Sequence, residues 1–318
     1  MSDEFIRQGE LTDIRSTPEW AQDMVRSCAE ARQRVASHEL FHRMRDASLG
    51  PTQAYTFLVG VWPVIELFPQ YMAQNLLKVQ YGRTRGHDLA RRYLIRNIRV
   101  EQNHADHWVE WASASGVSRN ELLHGEVPLE THALSHWCWH TCERDSLAAA
   151  MAATNHAIEG VTGDGSALVC SSDVYENGFD PELRAKAMKW LKLHARYDDT
   201  QPWEALEIIC AVTGTNPTQR GAALIRTSVL TSYEYMRLTL DHCLLANRVE
   251  ARTSPRCRWC TRRSGCGLRA SGCTGTTSHL SCELLVGNSL IPALGRGWPV
   301  LNRDEFASAA SPAPVRSL

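Results

Sequence analysis

Almost no stretch of this chain alternates apolar and polar residues as half-buried β-strands do, and this feature restricts the fold more than any other. Residues 18 to about 246 instead carry apolar positions at helical spacing, separated by short connections that favour antiparallel neighbours. The sequence therefore predicts an all-α bundle. The predicted helices cover residues 18–48, 51–80, 84–115, 130–142, 146–170, 181–200, 202–213 and 218–246.

The most apolar stretch, residues 55–68, lies in the second predicted helix. It is too short to span a bilayer and contains Pro63 and Glu66, so no membrane span is expected. Pro63 and Pro69 lack an amide proton, and we expect each to kink the helix. The acidic N-terminus lacks an apolar signal segment. We expect a cytoplasmic protein whose cysteines are mostly reduced.

Charge and composition divide the chain into three parts. An N-terminal arm (1–17) precedes the helical domain (18–246), and a tail rich in Arg, Cys, Gly and Pro follows (247–318). The tail holds ten arginines and four acidic residues, whereas the first 246 residues hold 24 basic and 31 acidic ones. We expect the tail to be irregular. The net charge of −1 gives no general attraction to nucleic acid.

The tail also contains the only CxxC motif that suggests zinc. Cys257 and Cys260 have the spacing of a zinc knuckle, but the spacing of the cysteines after them does not complete a zinc pattern. We therefore do not expect zinc there.

The segment RVEQNHADHW contains a Glu-x-x-His pair. Glu101 and His104 are three residues apart, so on a helix they point the same way and can share a metal ion. The spacing alone is weak evidence, since Glu39 and His42 share it.

Three further candidate ligands follow along the chain: Glu159 in TNHAIEG, then His194 and Asp198, four apart in HARYDD. Two imidazoles with one carboxylate suit non-haem Fe(II) with open positions, and the remaining carboxylates are enough for a second ion. The absence of sulfur argues against structural zinc. The competing interpretation is that each residue is a solvated or satisfied polar group on a helix.

A rival cluster lies in THALSHWCWHTC. His132, His136 and His140 recur every four residues and could bind a transition metal. Trp137 and Trp139 flank them, so we favour a partly buried, aromatic-rich helix face.

The order of these residues on a helical chain, Glu101-x-x-His104, Glu159, His194-x-x-x-Asp198, resembles the haem-oxygenase-like di-iron oxidases. That superfamily also includes the TenA-type thiaminase II and the PqqC-type pyrroloquinoline-quinone synthase enzymes. The likeness is greatest to the 1-undecene-forming medium-chain fatty acid decarboxylases (UndA type) and covers residues 18–246. It implies a haem-oxygenase-like bundle of about seven helices.

The resemblance also implies a role for each ligand. Glu101, His104 and His194 would hold a first iron, and Glu159 and Asp198 would help to hold a second.

The family pattern continues as His-x-x-x-Asp-x-x-His, and here the last position is Gln201. An amide oxygen is a much weaker ligand for Fe(II) than imidazole. The second iron is therefore expected to bind loosely or to be absent.

As function, the resemblance implies oxidative decarboxylation of a medium-chain fatty acid, such as lauric acid, to a terminal alkene and CO2. Fe(II) (one or two ions) would be the cofactor, O2 the co-substrate and an external electron donor a further partner. A homodimer is compatible with it. Residues 55–68 and 224–245 are apolar enough to enclose such a substrate.

Three alternatives stay open. One is another oxidase on the same scaffold. The second is a hydrolase like thiaminase II with Cys138 as nucleophile, which needs a nearby base and a lowered thiol pKa. The third is a non-catalytic helical protein that binds a partner or lipid.

Overall fold

The computed structural model describes residues 10–197 and 200–246, and these form helices joined by short connections, with no β-strand among them. The predicted all-α fold is confirmed. The helices are α1 (Glu19–Ala36), α2 (Glu39–Arg45), α3 (Pro51–Leu77), α4 (Arg85–Glu101), α5 (His104–Ala114), α6 (Arg119–His124), α7 (Leu129–Arg144), α8 (Leu147–Met151), α9 (Glu159–Cys170), α10 (Val174–Asn177), α11 (Arg184–Tyr197), α12 (Gln201–Thr213) and α13 (Gln219–Leu245). A π-helical segment, Ala152–Ile158, joins α8 directly to α9.

Several segments expected to be single helices are divided. The first breaks at Ser37–His38, where the extended backbone of His38 starts α2 and its Nδ1 accepts the amide proton of Leu40. The third breaks between α4 and α5, at Gln102 and Asn103. Both of these residues keep right-handed helical torsions, so the break is a short irregular turn.

The helix α3 continues through Pro63 and Pro69, so neither proline ends it. Its buried positions include Phe57, Trp62 and Phe68, which pack into the core. Among the described helices, none is long and apolar enough to cross a membrane. The expectations for residues 1–9 and for the tail, including the Cys257–Cys260 motif, lie outside the described residues.

Four helix contacts position the candidate residues. The helix α11 packs against both α9 and α5, and α4 packs against both α3 and α12. The α4–α12 contact is close because Gly86 faces the backbone of Ala211 and Val212. Near the other end of the same pair, Asn97 on α4 meets Gln201 on α12. The close packing at Gly86 therefore helps to fix the distance between these two polar side chains.

We predict that Gly86→Ala lowers the free energy of unfolding by about 2 kcal/mol, because overpacking that forces backbone to shift costs this much. A Cβ at position 86 would lie 2.6 Å from the carbonyl carbon and oxygen of Ala211. Urea unfolding measures the effect. Gly221→Ala is the control, since a Cβ there meets only the hydroxyl of Thr218, at 3.3 Å. Equal stability of the two variants would contradict the prediction.

Candidate metal centre in an apolar cavity

Glu101 and His104 lie on either side of the break between α4 and α5. Glu101 is the last residue of α4 and His104 the first of α5, and both are buried. The Nδ1 atom of His104 lies 2.8 Å from Oε2 of Glu101. Despite this distance, the direction is wrong for a hydrogen bond, and Nδ1 has no hydrogen-bond partner. Two electron-pair donors placed side by side in this way fit a shared cation, whose ligand atoms stand about 3 Å apart.

His194 on α11 is held in one tautomer. Its Nδ1 lies 2.8 Å from the carbonyl oxygen of Trp190, which can only accept, so Nδ1 carries the proton. The lone pair is then on Nε2, as in most metal-binding histidines. The ring stacks on Trp190 at 3.8 Å and lies 4.6 Å from the ring of His104, between centroids. Burial first, then the neighbouring His104, lowers the pKa of His194 well below its ordinary value. The imidazole is therefore neutral and able to act as a ligand.

Glu159 begins α9, directly after the π-helical segment. Its Oε1 accepts a hydrogen bond from Nδ2 of Asn155 at 3.1 Å, and its Oε2 accepts one from the hydroxyl of Tyr93 at 3.3 Å. Burial, with the charge of Glu159, raises the pKa of Tyr93 well above its ordinary value, so the phenol stays a donor. Such partners fix the orientation of a ligating carboxylate. Single π-helical turns of this kind are frequent at functional sites.

Gln201, the residue in place of the expected histidine, is the first residue of α12 and is buried. Its Nε2 donates to Oδ1 of Asn97 at 3.3 Å, and its backbone carbonyl accepts from the hydroxyl of Tyr93 at 3.3 Å. Because its amide nitrogen is turned to Asn97, only its oxygen is available as a metal ligand. Asp198 lies outside the described residues.

Four of the six predicted ligands line one cavity, which is partly open to solvent. They are Glu101, His104, Glu159 and His194. The rest of the lining is apolar except for three hydroxyl-bearing residues. The lining side chains include Phe41, Met44, Phe57, Val61, Val64, Ile65, Phe68, Trp108, Trp111, Leu134, Ile158, Thr162, Ser166, Trp190, Leu191, Met236, Thr239 and Leu240.

The donor set fits a divalent metal ion. Glu101 and Glu159 are carboxylates buried in apolar surroundings, and a cation would offset the cost of burying their charge. Nitrogen and oxygen donors without sulfur suit Fe(II). As they stand, no three His, Cys, Asp or Glu side chains within residues 10–197 and 200–246 converge closely enough to hold an ion. Iron binding by these residues stays a prediction.

The rival histidine stripe on α7 is exposed. The side chains of His132, His136 and His140 face solvent, whereas Trp137 and Trp139 are half-buried. The expectation of a partly buried face is therefore right for the tryptophans and wrong for the histidines. Imidazoles tolerate water, so the helix turns its aromatic side chains inward instead.

Cys138 is fully buried, and burial raises its pKa well above the ordinary thiol value. It does not line the cavity, and neither does any other described cysteine. The second Glu-x-x-His pair is also apart from the cavity, because the exposed Glu39 pairs with Arg43 on the surface, at 2.9 Å.

The sequence missed the residues that hold the candidate ligands in place. Asn155 and Trp190 each lie four positions before the candidate ligand that they contact, so helical spacing could have found them. Tyr93 and Asn97 reach residues 66 and 104 positions away, and no local pattern marks such contacts.

His156, in the π-helical segment, generates a prediction about pH. Its Nδ1 donates to the carbonyl of Pro202 at 2.9 Å, and burial lowers its pKa from 6.5 to about 4. Above pH 6.5 the ring is neutral whether the chain is folded or not. Between 6.5 and 4 only the unfolded chain takes up the proton, so the free energy of unfolding falls by up to about 1.4 kcal/mol per pH unit.

We predict that His156→Asn makes this fall shallower by about 1 kcal/mol per pH unit, because asparagine cannot take up a proton. Urea unfolding at several pH values in that window measures the slope. The exposed His136→Asn is the control and should keep the slope of the unmodified protein. Parallel slopes for His156→Asn and the unmodified protein would rule out a buried neutral imidazole.

No protein-family model and no curated protein matches this chain. A TenA homologue from Pseudomonas syringae pv. tomato is 52% identical, with 76% of this chain and 99% of that chain covered and a TM-score of 0.73. A domain with a haem-oxygenase-like fold from Shewanella denitrificans (13% identity, 70% and 90% covered, TM-score 0.56) shares the fold. So does a TenA-like protein from Sulfolobus solfataricus, described as a putative thiaminase (14% identity, 70% and 94% covered, TM-score 0.51). This chain belongs to the TenA-like family of proteins with a haem-oxygenase-like fold.

Proposed function

We propose that this chain is a non-haem iron-dependent oxidase that decarboxylates a medium-chain fatty acid, such as lauric acid, to a terminal alkene. One observation carries the proposal: two imidazoles and two carboxylates line a cavity whose other lining is almost entirely apolar. The imidazoles and carboxylates suit a metal, and the apolar lining suits an alkyl chain.

The reaction removes two electrons and two protons from the acid and releases CO2. Reduction of dioxygen to two waters takes four electrons, so an external donor supplies the other two. Bound Fe(II) would provide the one-electron chemistry with dioxygen. Glu101, His104 and His194 would hold the first ion, with Glu159 and Asp198 at the second position.

The protein itself orients the candidate ligands and buries the substrate. Tyr93 and Asn155 orient the Glu159 carboxylate through hydrogen bonds, and the Trp190 carbonyl keeps the Nε2 lone pair of His194 free. The apolar lining removes the alkyl chain from water, which contributes about 0.8 kcal/mol per methylene. The carboxylate of the substrate would then lie at the polar end of the cavity, beside the residues that would hold the metal, because elsewhere in the cavity its charge would be buried without a partner.

A hydrolase like thiaminase II is the second candidate, and the similarity to TenA homologues favours it. The rings of Phe57 and Trp108 line the cavity, and aromatic rings of this kind can stack on a flat heteroaromatic ring. Because no described cysteine lines the cavity, such an enzyme would need a nucleophile other than Cys138. Hydrolysis of thiamin that continues at an unchanged rate in the presence of chelators would support the hydrolase.

We predict that the full chain binds at least one Fe(II) when loaded anaerobically, and that it then converts laurate to 1-undecene when air and a reductant are added. Iron per chain is measured by elemental analysis and the alkene by gas chromatography. His104→Ala and His194→Ala should each lose most of the tightly bound iron, because each removes one of the imidazole donors.

His136→Ala is the matched control, since it removes an exposed imidazole that does not line the cavity. Iron lost equally from all three variants would place the metal elsewhere. If iron binds but no alkene forms, the metal centre is supported and laurate is excluded as the substrate. Fatty acid bound without iron or turnover would instead favour a binding protein.

We predict that Gln201→His raises occupancy of the second iron position, because imidazole binds Fe(II) much more strongly than an amide oxygen. The iron content and the absorption spectrum of the loaded protein report on this. Gln201→Leu, which offers no donor atom, should remain at or below the occupancy of the unmodified chain. Unchanged occupancy in Gln201→His would mean that position 201 is not a ligand position.

A further inference from the structure

Gly165, on α9, brings a phenyl ring against the helix backbone. A Cβ at this position would lie 2.8 Å from Cε2 and 2.9 Å from Cζ of Phe41, which real side chains do not tolerate. Only a glycine therefore lets the ring of Phe41, which projects from α2, lie where it does. Phe41 lines the cavity, so the contact with Gly165 decides how far the ring extends into the empty space.

The ring lies well away from the candidate metal ligands along α9. Glu159, Thr162 and Ser166 line the cavity from successive turns of this helix. At 1.5 Å of rise per residue, Gly165 is about 9 Å from Glu159 along the axis.

A row of ring contacts also leads from His194 to Phe41. His194 stacks on Trp190, and Trp190 packs against Trp108 with centroids 4.7 Å apart. Trp108 contacts Phe57, which meets Phe41 edge to face at 6.5 Å. Phe41 is thus separated from the imidazole by three intervening rings.

We infer that Phe41 and Gly165 together set the acyl chain length that the cavity accepts. The inference rests on the proposed function, in which the carboxylate of the substrate lies at the ligands and its methyl end points away from them. The phenyl ring then limits the methyl end, and Gly165 limits the ring.

Two substitutions at this one contact should act in opposite directions. Gly165→Ala displaces the ring into the cavity and should move the preference to shorter acids. Phe41→Ala removes the ring and should move it to longer ones. Each additional methylene that is buried lowers the dissociation constant by about fourfold, and each methylene that is no longer buried raises it by about the same factor.

The test measures binding, not turnover. The full chain is loaded with Fe(II) without dioxygen, and saturated acids from octanoate to palmitate compete with a fluorescent fatty-acid probe. We take the longest acid that the unmodified chain binds and the acid two carbons shorter. Gly165→Ala should weaken binding of the longer acid, relative to the shorter one, by fourfold or more. Phe41→Ala should strengthen the binding of palmitate relative to the binding of laurate.

The double variant separates this limit from general damage. With no ring to displace, Phe41→Ala combined with Gly165→Ala should behave as Phe41→Ala alone, so the two effects should not add. Phe41→Leu is the milder variant if Phe41→Ala fails to fold. Phe179→Ala, which removes a ring packed on Tyr175 outside the cavity lining, should leave the profile unchanged.

The outcomes are distinguishable. If all variants bind fatty acids with the profile of the unmodified chain, the inference is wrong and the proposed function stands. A change in association rate with an unchanged profile also overturns it, because Phe41 would then control entry only. If the unmodified, iron-loaded chain binds none of these acids, the proposed function and the inference fall together.

Discussion

The burial of two carboxylates in an apolar interior is the constraint on which the described site depends. Glu101 and Glu159 are each about 6% exposed, and an isolated buried carboxylate is among the most costly groups a protein can contain. Glu159 is compensated by two hydrogen-bond donors, Tyr93 and Asn155. Nδ1 of His104 lies 2.8 Å from Oε2 of Glu101 but forms no hydrogen bond with it. Of the two, Glu101 therefore depends more on an added positive charge.

Helix ends and irregularities lie at several of the candidate ligands. Glu101 and His104 meet across a break, Glu159 follows a π-helical segment, and Gln201 begins a helix. A regular helix spaces its side chains at fixed angles, and each irregularity changes the direction of a polar side chain relative to the apolar face. The regular parts of the helices determine how closely they pack, as at the Gly86 contact between α4 and α12.

The all-α fold and the pairing of Glu101 with His104 could be predicted from sequence, because helical period and three-residue spacing are local properties. The break between those two residues could not, since Gln102 and Asn103 keep helical torsions and carry no stop signal. The burial of Cys138 and the exposure of the α7 histidines depend on which face the bundle covers. The role of Gly165 depends on a phenyl ring 124 positions earlier in the chain, which no spacing rule connects to it.

Gln201 shows how a site of this kind can change without unfolding the protein. The side-chain amide of Gln201 keeps a hydrogen bond in the interior, because Asn97 accepts from its Nε2. A glutamine amide is uncharged, as is a neutral imidazole, so glutamine at this position adds no buried charge. It also leaves the apolar cavity lining untouched, since Gln201 does not contribute to it. Under the proposed function, metal affinity at position 201 and recognition of an alkyl chain would therefore reside on different side chains. A change at position 201 can therefore leave the cavity lining intact, so iron content and fatty-acid binding have to be measured independently.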